Sequence, residues 1–186
     1  LAFAGSAFSA INRQLLVGSS QQAGNTKTSI EARVGSSDDP VGRIQLYVPA
    51  GFKLDSPAGG VDVGTVSATV QSKQIGPGSE IPFKLTGKLT AIAVDDPAVA
   101  YESANCDGGV GHAGAWLARL TGGGNSWTFV VFVDQAGGGA SQPSYRLVAC
   151  FKSVNGANAD PYGNKLVSLT LGIERVAAYV NVGNTA

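Results

Sequence analysis

The feature that most constrains this chain is an alternation of apolar and polar residues with a period of two. Ile44, Leu46 and Val48 alternate with more polar neighbours, and similar runs follow along the chain. Successive side chains of a β-strand point to opposite faces, so this period predicts strands with one buried face. The segment 127–133 is apolar on both faces, which predicts a central strand or a strand that faces a partner.

Clusters of glycine, proline and asparagine separate these runs, and such residues end strands and supply turns. The pattern predicts an all-β chain folded as a β-sandwich, immunoglobulin-like or jelly-roll-like, with a barrel as the second choice. No window shows a sustained helical stripe. The predicted strands, about ten in number, lie near 13–17, 26–35, 43–49, 61–72, 80–94, 98–104, 113–121, 126–134, 144–153 and 165–182. The last range is long enough for two strands.

The N-terminal segment is apolar and carries no charge before Arg13. Its small-residue run Ala7–Ala10 resembles a signal-peptide cleavage site. These features predict an N-terminal extension or donor strand over residues 1–20, followed by a single β-sandwich domain over residues 21–186.

An exposed row of apolar side chains in this extension would favour aggregation. We therefore predict that part of it is a donated β-strand, which adds to the sheet of a neighbouring copy. The predicted subunit-interface residues are Leu1, Phe3, Phe8, Ile11, Leu15 and Val17. Two alternatives stay open: the segment is the first strand of its own sandwich, or it is a remnant of a signal peptide.

The charge content is low and balanced. Charged residues make up 14% of the chain, with thirteen basic and thirteen acidic side chains, against roughly a quarter in typical soluble domains. A neutral chain has no electrostatic reason to bind nucleic acid, and no stretch approaches the ~20 apolar residues that span a bilayer. This composition is typical of secreted and cell-surface β proteins.

The chain has two cysteines, Cys106 and Cys150. In an extracellular protein such a pair predicts one disulfide, whereas in a reducing compartment both would be buried thiols. The rest of the composition favours the disulfide.

Candidate catalytic residues are few. His112 is the only histidine, and no Gly-x-Ser-x-Gly turn supplies a nucleophile for it. A zinc site needs several His or Cys ligands. The sequence therefore predicts no catalytic residue, no metal and no cofactor, and a structural or solvated role for His112.

Several other side chains are of types that can carry catalysis or binding. Nearly all candidate carboxylates for glycoside hydrolysis lie beside turn residues, where Asp caps the turn; they are Asp38, Asp39, Glu80, Asp95, Asp96, Glu102, Asp134 and Asp160. The loop Asn155–Asp160 loosely resembles a calcium loop but lacks its closing Glu. Trp116 and Trp127 lie in strand patterns, which favours core packing over a sugar platform.

From about Val41 to Val176 the chain resembles an uncharacterised group of secreted β-sandwich proteins, best represented in actinobacteria. The resemblance is carried by Arg43–Phe52, Val63–Ala68, Asp96-Pro97 with Tyr101 and Cys106, His112–Trp116, Val131–Asp134 and Tyr145–Cys150. It implies export and one disulfide-containing domain, and it implies no activity.

These observations predict a non-enzymatic structural subunit of an extracellular fibre or pilus-like surface assembly. The predicted partners are identical subunits, which join by N-terminal strand donation. The alternative is a secreted module that binds a glycan or another cell-surface ligand.

Overall fold

The computed structural model describes residues 14–22, 25–35, 41–48, 52–54, 57, 59–72, 81–106, 111–137, 142–151, 165–174 and 176–178. Within these residues the chain forms eleven strands and one helix, so the prediction of a predominantly β protein is confirmed. The helix α1 spans Pro97–Cys106. The strands are β1 (Gln14–Gln22), β2 (Asn25–Arg33), β3 (Arg43–Val48), β4 (Phe52–Leu54), β5 (Asp62–Ser72), β6 (Ile81–Ile92), β7 (Gly114–Gly122), β8 (Asn125–Gln135), β9 (Tyr145–Cys150), β10 (Lys165–Ile173) and β11 (Val176–Ala178).

Nine of these strands form one curled antiparallel sheet. Their order is β1-β2-β10-β5-β6-β7-β8-β9-β3, so β1 and β3 lie at its two edges. β4 and β11 pair with each other in a separate two-stranded sheet. The predicted long range 165–182 thus contains two strands, β10 and β11.

The sheet buries apolar side chains on both faces where β7, β8 and β9 lie side by side. On the inner face, Trp116 and Leu120 of β7 pack with Phe129 and Val131 of β8 in the main core. The opposite face carries a second, smaller cluster of buried residues: Val99, Ala115, Leu117, Val130, Phe132 and Val148. β8 is therefore covered on both faces along Phe129–Val133, in agreement with the prediction that the segment 127–133 is apolar on both faces.

The prediction of a strand over residues 98–104 is wrong, because these residues belong to α1. The helix begins at an Asp-Pro pair: Asp96 Oδ1 accepts a hydrogen bond of 2.8 Å from the backbone N–H of Ala98, and Pro97 takes the first helical position. Only Val99 and Ser103 of the helix are buried. Because one of these two is polar, the helix has no apolar stripe for a sequence pattern to detect.

A disulfide joins Cys106 to Cys150, with the two Cα atoms 5.6 Å apart, so the predicted pairing is confirmed. Cys106 is the last residue of α1 and Cys150 the last residue of β9. The bond therefore fixes the C-terminal end of the helix to the outer face of the sheet.

Candidate functional site

Four polar side chains meet on the outer face of the sheet, at the end of its apolar cluster. Ser103 comes from α1, His112 from the segment before β7, Asp134 from β8 and Arg146 from β9. Asp134 and Arg146 are directly opposite each other in the antiparallel pairing of β8 with β9. We call these four residues the His112 network.

His112 lies at the centre of this network, with both ring nitrogens engaged. Its Nδ1 is 2.7 Å from Asp134 Oδ1, and its Nε2 is 2.8 Å from Ser103 Oγ. An ionised carboxylate can only accept, so Nδ1 carries the proton and donates to Asp134. In the neutral ring Nε2 then accepts, and the Ser103 hydroxyl donates to it.

The carboxylate of Asp134 is shared between two partners. While Oδ1 accepts from His112, Oδ2 accepts from Arg146 Nη2 at 2.6 Å and from Nε at 3.1 Å. The Asp134 side chain is 5% exposed and that of Arg146 is 28% exposed. A carboxylate this deeply buried needs such charge-assisted partners, since an unpaired one would be costly.

Packing and a covalent bond also constrain the network. The His112 ring stacks on Phe132, with ring centroids 4.2 Å apart and an interplanar angle of 21°. Phe132 is 1% exposed and belongs to the outer apolar cluster. Ser103 lies one helical turn before Cys106, whose disulfide fixes the end of α1. The rotamer of His112 and the position of Ser103 are therefore both held from outside the network.

A cleft opens beside the network. Its volume is about 460 Å³, and it is lined by Gly111, His112, Ala113, Asp134, Gln135 and Arg146. Ser103 is 4% exposed and lies behind the imidazole ring rather than in the lining. A small molecule in this cleft would contact His112 directly, and it would reach Ser103 only after passing the imidazole ring.

The order of contacts from Ser103 through His112 to Asp134 is that of a serine-hydrolase triad, in which Asp holds the Nδ1 side and Ser faces Nε2. Sequence analysis missed this arrangement. The three residues are 9 and 22 positions apart, and the sequence pattern predicts a strand, not a helix, at Ser103. No local sequence motif predicts these contacts, because the pairing of β7 with β8 is what brings His112 close to Asp134.

No family model matches this chain. No curated protein and no solved structure matches it either.

Among the described residues, no group of three or more His, Cys, Asp or Glu side chains could hold a metal ion. The described part of the chain also has no helix of the length and apolarity that a membrane span requires.

The residues predicted for subunit contact divide into two groups. Leu1, Phe3, Phe8 and Ile11 lie outside the described residues. Leu15 and Val17 lie on β1, which pairs with β2 of the same chain and forms one edge of the sheet. Both are exposed, by 57% and 65%, and so is Leu16 between them, by 47%.

The β1 edge carries apolar side chains towards both faces of the sheet, because neighbouring residues of a strand alternate between faces. Leu15 and Val17 point one way and Leu16 the other. The strand QLLVGSSQQ contains no charged residue and no proline, which are the usual devices that protect an exposed edge. We call Leu15, Leu16 and Val17 the β1 edge patch.

Among the residues that the structure describes, the other candidates from the sequence form no second site. Trp116 is fully buried, and Trp127 packs against Phe129 and Phe151 with ring centroids 4.9 and 5.4 Å apart; the expected core packing of both is confirmed. The calcium-like loop Asn155–Asp160 lies outside the described residues, as do Asp38 and Asp39. Asp134 is engaged with His112 and Arg146.

Proposed function

We propose that the protein is a structural subunit of an extracellular fibre or pilus-like surface assembly. The observation that carries this proposal is the β1 edge patch. Three consecutive large apolar residues are exposed at an edge strand whose outer side has no strand neighbour in the described sheet.

Strand addition would pair the open backbone groups of β1 and would also cover its exposed apolar side chains. A second strand laid along β1 pairs its open N–H and C=O groups, and the side chains of that strand cover apolar neighbours on each face. In the proposed assembly, the residues that precede β1, with Leu1, Phe3, Phe8 and Ile11, are donated to the sheet of a neighbouring copy. A head-to-tail contact produces a filament when its rotation does not close a ring, and the proposed assembly is of this open kind.

Two further parts of the proposal concern architecture and compartment. The curled sheet is proposed to fold over its core as a β-sandwich of immunoglobulin-like or jelly-roll-like type. The disulfide and the low charge content support an extracellular location. The assembly function itself requires no enzymatic chemistry.

A glycan- or surface-binding module remains the alternative, but it gains no support from the described residues. An exposed tryptophan would favour it, but Trp116 is fully buried and Trp127 is partly buried against the core.

The double variant Leu15→Ser/Val17→Ser tests the role of the β1 edge patch. Its matched control is Val94→Ser, since Val94 is also an exposed apolar side chain, 49% accessible, but lies in a turn. Static light scattering and negative-stain electron microscopy would compare the two with the wild type at equal concentration. Polymers that persist in the control but are lost or shortened in the double variant support the proposal. Identical polymers in all three proteins, or a wild type that stays monomeric at high concentration, contradict it.

A further inference from the structure

We infer that Ser103, His112 and Asp134 form an acyl-transfer site that hydrolyses small esters. This inference is independent of the proposed assembly, and it opposes the expectation of a non-enzymatic protein. It rests on the hydrogen-bond geometry of the His112 network together with the cleft that opens on it.

The geometry gives each residue a distinct role. Asp134 and Arg146 are positioning residues: the arginine holds Oδ2, and Oδ1 is left to fix the Nδ1–H tautomer of His112. That tautomer presents the lone pair of Nε2 to Ser103 Oγ at 2.8 Å. This is the contact that a general base needs in order to remove the proton of a nucleophilic hydroxyl.

A purely mechanical tie between α1 and the sheet would not need this set of groups. Buried ionic groups are often replaceable by apolar side chains at no loss of stability, and the surrounding outer cluster is apolar. Here a serine, a histidine and a carboxylate are instead buried together in contact order, beside a cleft. Such a concentration of polar groups in an apolar setting is typical of functional sites.

The cleft sets the class of substrate. The cleft is shallow and open to solvent, and its lining includes His112, Asp134 and Arg146 but not Ser103. Because Ser103 lies behind the imidazole and is 4% exposed, only a short acyl group that passes the edge of His112 can reach its hydroxyl. We therefore expect esters of short carboxylic acids rather than peptides or long-chain lipids.

The reaction balances without any added oxidant or reductant. Ser103 Oγ attacks the carbonyl carbon of the ester, and its proton passes to His112 Nε2. The bond between the acyl carbon and the alcohol oxygen then breaks, and the alcohol leaves with that proton. Water attacks the acyl-serine, His112 accepts a proton from it and returns it to Ser103 Oγ, and the carboxylic acid is released.

Active-site labelling with a small alkyl fluorophosphonate tests the inference, because such a probe modifies serines that a neighbouring base has activated. The readouts are intact mass, peptide mapping of the adduct and hydrolysis of p-nitrophenyl acetate. Ser103→Ala is compared with Ser126→Ala, which removes an exposed serine of β8. We expect one adduct on Ser103 in the wild type and in Ser126→Ala, and none at this position in Ser103→Ala. Hydrolysis should fall by about 100-fold or more in Ser103→Ala, in line with the contribution of an activated nucleophile and its base.

Two results would overturn the inference. One is a folded wild type that gains no adduct on Ser103 after prolonged incubation. The other is a rate of p-nitrophenyl acetate hydrolysis that is unchanged in Ser103→Ala. His112→Gln, where circular dichroism shows it to be folded, adds a third arm: labelling at the wild-type rate would show that the imidazole activates nothing. None of these results bears on filament formation, so the two proposals fail separately.

Discussion

The β1 edge and the outer face of β7–β9 depart from the usual distribution of residues in opposite ways. At the edge, Leu15, Leu16 and Val17 are apolar and exposed; on the outer face, Ser103, His112 and Asp134 are polar and buried. The buried polar groups satisfy one another within the chain, whereas the exposed apolar groups have no cover among the described residues. The contrast is consistent with the proposed strand addition at the β1 edge, whereas the His112 network finds its partners within the chain.

The largest effect expected on stability is that of the disulfide, which anchors α1 over the network. Its cysteines are 44 positions apart, and by the chain-entropy model a closed loop of that size contributes roughly 4 kcal/mol. Cys106→Ser/Cys150→Ser should lose about this much free energy of unfolding in a urea titration. A loss below about 1 kcal/mol would show that the helix is held without the bond. Thiol titration of the denatured, non-reduced wild type should find no free thiol.

Asp134→Ala should come next, because it leaves His112 and Arg146 without their shared carboxylate. Removing one partner of a buried ion pair costs about 3–5 kcal/mol, and we expect the lower end because Arg146 is partly exposed and can turn to solvent. Urea unfolding of the variant against the wild type measures this loss. An unchanged free energy of unfolding in Asp134→Ala would show that the side chains of the His112 network do not depend on one another. The contrast between this network and the β1 edge patch would then be lost.

An exposed ion pair offers a matched comparison for the buried one. Lys88 donates a hydrogen bond to Asp62, both side chains are largely in solvent, and the bond lowers the pKa of the Asp62 carboxyl. A lowered pKa in the folded state gives a contribution that is present above the ordinary pKa and is lost as the pH falls through the folded one. Because water screens the pair, Lys88→Ala should raise the pKa of Asp62 in an NMR titration and lower the unfolding midpoint only slightly at neutral pH. A clear drop in that midpoint would mean that exposure does not separate the two ion pairs.

The smallest effect is expected from the β1 edge patch in the isolated subunit. Leu15→Ser/Val17→Ser should change the free energy of unfolding by no more than about 0.5 kcal/mol per substitution, since neither side chain is buried. Thermal unfolding of dilute, monomeric protein measures this value. A loss of several kcal/mol would place these side chains in a core and would remove the reason to seek a partner for them.

The sequence predicted the sheet better than the site. The strand β6 follows from alternation, since from Phe83 onward its more buried positions alternate with more exposed ones at a period of two. The helix α1 could not be predicted from the sequence pattern. Its two buried positions are Val99 and Ser103, and these two residues do not form an apolar stripe. The contact between Asp134 and Arg146 depends on the register of β8 with β9, which a single sequence does not specify.

The pairing of the cysteines could be predicted because only one pair exists, so no connectivity had to be chosen. His112 was the opposite case. It is the only histidine of the chain, yet its partners lie on three separate elements, α1, β8 and, through Asp134, β9. Composition can show that a residue is unusual, but only the fold shows what it touches.

Deletion of residues 1–12 tests the central claim, that the N-terminal edge joins identical subunits, most directly. The deletion leaves β1 intact from Gln14 and removes Leu1, Phe3, Phe8 and Ile11 from the proposed donor segment. Sedimentation velocity and electron microscopy of the truncated and full-length proteins should show polymers only for the full chain, with the truncated protein a folded monomer. Truncated protein that still forms the same polymers would contradict strand donation.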